Sequence, residues 1–271
     1  MSLTLSVVAL DGRARCAFEG ADEVRLAWRG LYEPGDRLVV TVDSACAHLV
    51  MKLDAALETS HVLLRGGRFE FPIPFGSERK PYGAQAFEGE RHEAFVRVED
   101  PREALSWRNL ALNACDTTMA EDGGFVTTLF PHARTNVVPG NPQFIARNAI
   151  DGVVAPELHG SWPHESWGIA GRSDAWLCVD FGEPVAADEL RLYLRADFPH
   201  DTCWSRATVE LSDGFETTIA LKKTGDCQTF DLGGRSVEWV CLKSLVKRDE
   251  EGFPGLAQLE VWGTRKCGEH V

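Results

Sequence analysis

Two segments of the chain place aromatic rings beside side chains that form hydrogen bonds. One is residues 161–167, with the sequence SWPHESW, and the other is residues 196–204, with the sequence ADFPHDTCW. A pyranose stacks its apolar face on an aromatic ring, and its hydroxyl groups need fixed donors and acceptors. We therefore predict a sugar site in the first segment, with Trp167 as the platform and His164 and Glu165 as hydrogen-bonding groups. The alternative is that the tryptophans of this segment are core residues and that His164 has no role.

The second segment holds more polar and aromatic side chains than a connection between strands requires. It contains one histidine, two aspartates and two aromatic rings. We predict that His200, Asp201 and Trp204 are further contacts to the same ligand. The alternative is a solvated turn whose aromatic rings, Phe198 and Trp204, are packed into the core.

Catalysis by these residues is a weaker hypothesis than binding. His164 and Glu165, like His200 and Asp201, are neighbours that could act as acid and base. Adjacent residues on a strand point to opposite faces, so such a pair cooperates only on an irregular loop. The sequence has no nucleophile elbow, phosphate-binding loop or HExxH helix motif. We therefore expect a protein that is not an enzyme. A glycan-processing enzyme and a protein-interaction or scaffolding module remain the alternatives, and a protein partner stays possible.

Charge and composition exclude several classes of partner. The 271 residues carry a formal net charge of −13, which argues against binding to nucleic acid or to an anionic membrane. No apolar run approaches the roughly 20 residues that span a bilayer. The N-terminal segment has no positive region before Asp11 and resembles a first strand, so we expect a cytoplasmic protein, or a secreted one if a leader was removed. The eight cysteines form no CxxC pair, and without an export signal we expect free thiols.

The elements that must position these residues are β-strands. Val24, Leu26 and Trp28 alternate with polar or small residues, which is typical of a half-buried strand. The same period of two recurs over residues 38–42 and 190–194, and Ser212-Asp213-Gly214 is a strong hairpin signal. No long stretch has helical periodicity. The chain is therefore predicted to be all-β, with two antiparallel β-sandwiches in series.

Three strings in the second half carry a family resemblance. They are NAIDG at residues 148–152, WLCVDFG at residues 176–182 and LAQLEVWG at residues 256–263. In this order and spacing they resemble the discoidin-like fold, the coagulation-factor C-type domain, over roughly residues 107–264. That family includes many galactose- and glycan-binding modules. The resemblance implies a jelly-roll sandwich that binds a glycan on loops at one end, and it does not extend to residues 1–105.

The resemblance also implies further site residues and a domain division. In related modules the loop before the last strand supplies a basic or aromatic contact, a role that Arg248 and Phe253 would fill here. Many members hold a structural calcium with an aspartate and a glutamate, which correspond to Asp151 and Gln258; the glutamine should weaken such a site without forbidding it. The expected domains are residues 1–103, a linker at 104–108, the binding domain at 109–265 and a tail at 266–271.

Overall fold

The computed structural model describes residues 1–117, 127–155, 157–195, 202–249 and 252–266. These residues lie mostly in antiparallel strands, and the prediction of an all-β chain is confirmed. Asp100 begins one short helix, α1 (Pro101–Ala104), where its side chain accepts a hydrogen bond from the Arg102 amide. Short 3-10 helices cover Gly76–Arg79, Pro142–Phe144 and Ala146–Ala149.

The N-terminal sandwich consists of two sheets, with the strand orders β2-β1-β4-β7 and β10-β6-β5-β8-β3. Alternation explains the burial along β3, where Val24 and Leu26 point into the core and Arg25 points to solvent. The strands are β1 (Ser2–Val8), β2 (Ala14–Ala21), β3 (Glu23–Arg29), β4 (Arg37–Val42), β5 (Cys46–Lys52), β6 (Ser60–Arg65), β7 (Arg68–Pro72), β8 (Arg91–Val98) and β10 (Leu129–Phe130). The strand between β8 and β10 in the chain, β9 (Arg108–Asn109), belongs to the C-terminal sheet.

The C-terminal sandwich is one sheet that folds over a single core. Its path is β12-β17-β13-β16-β14-β15, with β11 on the edge of β13 and β9 on β17. The strands are β11 (His132–Thr135), β12 (Trp167–Gly168), β13 (Leu177–Leu194), β14 (Trp204–Leu211), β15 (Glu216–Ala220), β16 (Gln228–Lys247) and β17 (Gly255–Arg265). The register of β13 with β16 is interrupted between Asp180 and Val185. The part of β13 before this interruption also pairs with β11, and the part after it pairs with β17.

The Asp-Gly hairpin signal is confirmed. β14 and β15 pair in antiparallel register around Ser212-Asp213-Gly214, and the Leu211 amide donates to the Phe215 carbonyl at 2.9 Å. Gly214 has a φ of 87°, which a residue with a Cβ rarely adopts. This local turn therefore needs no tertiary contact to specify it.

The boundary between the sandwiches is a polar interface rather than an open linker. Glu99 at the end of β8 is buried and bonds His61 (2.7 Å), Arg108 (2.9 Å) and Arg265. His48 of β5 contacts Glu183 of β13 at 2.7 Å. Residues beyond the expected linker also return to the N-terminal sandwich, because β10 pairs with β6, and Ala114, Cys115 and Leu129 lie in its core.

The expectation of free thiols needs one correction. Cys178 and Cys241 are opposite each other on β13 and β16 and form a disulfide. Cys267 lies outside the described residues. The free cysteines of the described part are Cys16, Cys46, Cys115, Cys203 and Cys227. In the same part of the chain, no helix is both long and apolar enough to cross a membrane.

Candidate functional site

Two predicted contacts, Trp167 and Trp204, are core residues. Both side chains are fully buried, at 0% exposure, and their ring centroids lie 6.0 Å apart. Trp167 begins β12 opposite Leu256, and Trp204 begins β14 opposite Lys247. A ring enclosed by protein on both faces has no face for a sugar. The prediction that these tryptophans contact a ligand is therefore wrong, and the alternative of a core role holds for both.

Glu165 is also buried, and it belongs to an acidic pair rather than to an open loop. Neither of its carboxylate oxygens has a hydrogen-bond partner among the described residues, and the same is true of Oδ2 of Asp151. Burial raises the pKa of Asp151 to about 7, although Arg147, 3.9 Å away, opposes the shift. Burial and the charge of Asp151 together raise the pKa of Glu165 to about 8. An enclosed carboxylate cannot reach an external sugar, so the predicted sugar contact through Glu165 is wrong.

These oxygens fit the calcium site that the family resemblance implies. Gln258 is fully buried, and its side-chain oxygen has no partner among the described residues. Glu165 comes two residues before Trp167, which pairs with Leu256, and Gln258 comes two residues after Leu256. Calcium favours several hard oxygen ligands, and Glu165 would supply the second carboxylate that Gln258 lacks. The described residues contain no cluster of three or more His, Cys, Asp or Glu side chains that could hold a metal, so carbonyl oxygens would have to complete the set.

The remaining predicted contacts are dispersed. The Nδ1 atom of His164 lies 3.5 Å from the Ala155 carbonyl, and the ring is half-buried. Arg248 is exposed, and its guanidinium donates to the Leu221 carbonyl at 3.2 Å. Phe253 is 66% exposed and packs beside Gly171. His200 and Asp201 lie outside the described residues. The contacts of His164 and Arg248 lead to different parts of the sandwich, so the structure does not join them in one site.

The loop that carries His164 rests on the N-terminal sandwich. The Trp162 amide donates to the Lys80 carbonyl at 2.7 Å, and the Trp162 ring lies over Gly83. This ring is 46% exposed, so it is partly covered by the other sandwich. The loop therefore belongs to the boundary between the two sandwiches rather than to a free end.

A groove of about 800 Å³ lies beside this boundary. A volume of this size is within the range of sites for small ligands. One wall consists of Phe71, Pro74, Pro81 and Tyr82 of the N-terminal sandwich. The other wall and the floor come from the C-terminal part of the chain and include Asp116, Thr117, His132, Arg134, Thr135, Val137, Val138, Pro139, Arg147 and Trp176.

The polar floor of the groove is held in place by hydrogen bonds. The Nδ1 atom of His132 is hydrogen-bonded to Oδ1 of Asp116 at 2.7 Å, and Oδ2 of Asp116 accepts a hydrogen bond from the Ala133 amide at 2.9 Å. Burial of the ring opposes protonation, but the charge and hydrogen bond of Asp116 outweigh it, so the pKa of His132 is raised. Arg147 is buried and stacks on the Tyr82 ring, 4.6 Å from its centroid.

Trp176 is a half-buried aromatic residue of the groove, as is Tyr82, whose ring is covered by Arg147. The Trp176 amide donates to Oδ1 of Asn136 at 3.0 Å, and its carbonyl accepts from the Thr135 hydroxyl at 2.7 Å. Arg172 fixes Asn136 in turn by donating to its carbonyl at 2.7 Å. In the sequence, Trp176 belongs to the WLCVDFG string that carries the family resemblance. The signal that could have identified it is its alternation with the core residues Ala175 and Leu177, which puts the ring of Trp176 on the opposite face.

Comparisons with known proteins add solved structures but no family. No protein-family model matches the chain, and no curated protein matches it. A chitosan-binding module 1 from a chitosanase/glucanase of Paenibacillus sp. IK-5 is 22% identical, with a TM-score of 0.39, over 58% of this chain and 99% of that one. A fucose-binding module of Streptococcus pneumoniae, SpX-3, is 17% identical, with a TM-score of 0.40, over 58% and 99%.

A third similar structure is the family 32 carbohydrate-binding module of C. perfringens NanJ in complex with galactose. It is 16% identical, with a TM-score of 0.37, over 48% of this chain and 91% of that one. Carbohydrate-binding modules are thus what part of this chain is similar to. What the chain binds is argued below from its own residues.

Proposed function

We propose that this chain is a carbohydrate-binding protein that holds a saccharide in the groove between its two sandwiches, stacked on Trp176. The observation that carries this proposal is a half-buried indole beside a cavity of about 800 Å³ whose floor presents His132 and Arg134. An aromatic face with polar groups at its edge matches the apolar face and hydroxyl rim of a pyranose.

Preorganisation supports Trp176 as the platform. The hydrogen bonds from its backbone to Thr135 and Asn136 fix both sides of the residue before any ligand arrives. Less conformational freedom is then lost on binding, which favours affinity. This proposal keeps the aromatic stacking expected from the sequence but replaces Trp167 with Trp176, and it assigns part of the site to the N-terminal sandwich.

We propose binding without turnover. The His132–Asp116 pair could move a proton, but among the described residues no nucleophile is hydrogen-bonded to it. Covalent catalysis needs a nucleophile within hydrogen-bonding reach of its base. Release of sugar from glycosides that bind, lost on changing His132, would overturn this part of the proposal.

We also propose that a structural calcium ion is held by Asp151, Glu165 and Gln258. Three carboxylate oxygens and one amide oxygen without partners support it, because unpaired buried polar atoms cost stability. When bound, the ion would neutralise the acidic pair and fix β12 against β17. The test is metal content of the purified chain by mass spectrometry, compared with that of Glu165→Gln.

The binding proposal is tested by two tryptophan variants. Trp176→Ala removes the platform, whereas Trp162→Ala removes a partly exposed ring outside the groove lining. We expect a glycan array to identify a ligand of the unmodified chain. Trp176→Ala should lose at least tenfold in affinity for that ligand, and Trp162→Ala should keep it. An array without binding by folded protein, or equal affinities of both variants, would contradict the proposal.

A further inference from the structure

We infer that the groove selects saccharides bearing an anionic group, a carboxylate or a sulfate, and that Arg134 and His132 bind this group. The inference rests on the carbohydrate-binding function proposed above and goes further by naming the class of sugar. It is carried by the placement of two basic side chains and one aromatic platform on the same face of the C-terminal sheet.

The register of the sheet brings these three side chains together. His132 and Arg134 are two residues apart on β11, so their side chains leave the same face about 7 Å apart. Arg134 is opposite Cys178 on β13, and Trp176 lies two residues before Cys178. All three residues also line the groove. His132 is opposite Asp180, so Arg134 is two residues and His132 is four residues along the sheet from the level of Trp176, about 7 and 13 Å. An oligosaccharide with one unit stacked on Trp176 would therefore have its next unit within reach of both basic groups.

The guanidinium of Arg134 has donors to offer. Its side chain is 46% exposed, and its carboxylate neighbour Asp180 is 3.8 Å away, beyond hydrogen-bonding distance. Within the described part of the chain, this guanidinium makes no hydrogen bond. An arginine presents its donors as a planar fork that matches carboxylate and sulfate oxygens, and such charge-assisted bonds are stronger than neutral ones.

His132 adds a second, fixed donor. Its Nδ1 side is occupied by Asp116, whose other oxygen is used by the Ala133 amide. The Nε2 atom is then the remaining polar atom of the ring. A protonated imidazole donates through both nitrogens, and the hydrogen bond to Asp116 favours that form.

The charge of the groove differs from the charge of the whole chain. Its lining contains three basic residues, His132, Arg134 and Arg147, and two acidic ones, Glu78 and Asp116. The chain as a whole carries −13. Asp116 is already engaged by His132 and Ala133, and Asp180, 3.8 Å from Arg134, is not part of the lining. The groove therefore offers an anion more basic than acidic side chains.

The experiment compares ligands that differ only in charge. The full chain is titrated by calorimetry with oligogalacturonides, with the same oligomers after methyl esterification, and with sulfated and unsulfated galactan fragments. We expect each preferred acid to bind at least tenfold more tightly than its neutral counterpart. A preference in the galacturonate pair identifies a uronate as the ligand class, and one in the galactan pair identifies a sulfate.

Two arginine variants assign the effect to the groove. Arg134→Gln should reduce the affinity for the anionic oligomer about tenfold more than the affinity for its neutral counterpart. Arg235→Gln, at a similarly exposed arginine outside the groove lining, should not change the ratio. Circular dichroism and melting temperature confirm that both variants fold.

The outcomes separate this inference from the function on which it rests. Equal affinities for charged and neutral oligomers, or an unchanged ratio in Arg134→Gln, would overturn the anionic preference while leaving carbohydrate binding in place. Failure of the folded chain to bind any saccharide on a broad array would overturn both.

Discussion

Replacing Trp167 by alanine separates a core tryptophan from a binding tryptophan. The side chain is fully buried and packs against Trp204. A buried tryptophan removes roughly 150–250 Å² from water, and at about 25 cal/mol per Å² this corresponds to about 4–6 kcal/mol. Residual structure in the unfolded chain lowers the estimate, and measured Phe and Trp truncations fall at about 3–5 kcal/mol. We therefore expect Trp167→Ala to reduce the free energy of unfolding by about 4 kcal/mol.

The assay is thermal unfolding followed by far-UV circular dichroism, because the substitution alters tryptophan fluorescence. For a domain of 150–250 residues, 1 kcal/mol shifts the melting temperature by about 2–4 °C, so the transition of the C-terminal sandwich should fall by roughly 8–16 °C. The matched control is Trp162→Ala, whose ring is partly exposed and whose removal should cost about 1 kcal/mol.

A milder variant keeps the test informative if alanine prevents folding. Trp167→Phe retains an aromatic ring and should lower stability by about 1–3 kcal/mol while leaving saccharide affinity unchanged. A cost of less than about 1 kcal/mol for Trp167→Ala would contradict a core role of the ring. A Trp167→Phe variant that keeps its stability but loses the ligand would also contradict it, because the ring would then be a binding surface.

Three further predictions concern charge. In calorimetry, calcium chloride should raise the melting temperature and a chelator should lower it. With calcium 100-fold above its Kd, the shift corresponds to about 3 kcal/mol in the free energy of unfolding. Glu165→Gln should abolish both effects. Glu99→Gln should cost about 3 kcal/mol in denaturant unfolding, because Arg108 and Arg265 lose their shared carboxylate. Burial of Glu99 opposes its ionisation, but its bonds to His61 and the two arginines outweigh the burial and lower its pKa. The stability that Glu99 contributes is therefore present above about pH 4.5 and is lost as pH falls through the lowered pKa. A difference in unfolding free energy between Glu99→Gln and the unmodified chain that stays constant down to about pH 3 would contradict this. Burial lowers the pKa of His132, but Asp116 outweighs the burial and raises it. The stability that protonated His132 contributes is therefore complete below about pH 6.5 and is lost as pH rises through the pKa of the folded state. A stability difference between the unmodified chain and His132→Gln that grows with pH would contradict this.

The local features of this chain could be predicted because they depend on neighbours in sequence. Alternation along β3 determines which side chains face the core, and the Asp-Gly turn determines the β14–β15 hairpin. The closing string from Leu256 to Gly263 forms β17 as its pattern indicated. For these parts of the fold, the identity of nearby residues is enough to predict the local structure.

The choice between tryptophans could not be made in the same way. Trp167 and Trp176 both stand next to short runs of strand residues, and both have polar neighbours in the sequence. Burial is decided by which strands pack above a side chain, and those strands come from distant parts of the chain. Trp204 covers Trp167, whereas Trp176 remains at the edge of a groove.

The acidic pair of Asp151 and Glu165 and the groove also show the difference between what the sequence predicts and what tertiary packing decides. The sequence by itself determined an all-β chain with strands of known alternation and a C-terminal part that resembles a glycan-binding fold. Only the tertiary structure brought Glu165 beside Asp151, and placed Tyr82 of the first sandwich on Arg147 of the second. The reason is that these contacts join residues far apart in the chain, and local propensity does not encode which distant surfaces meet.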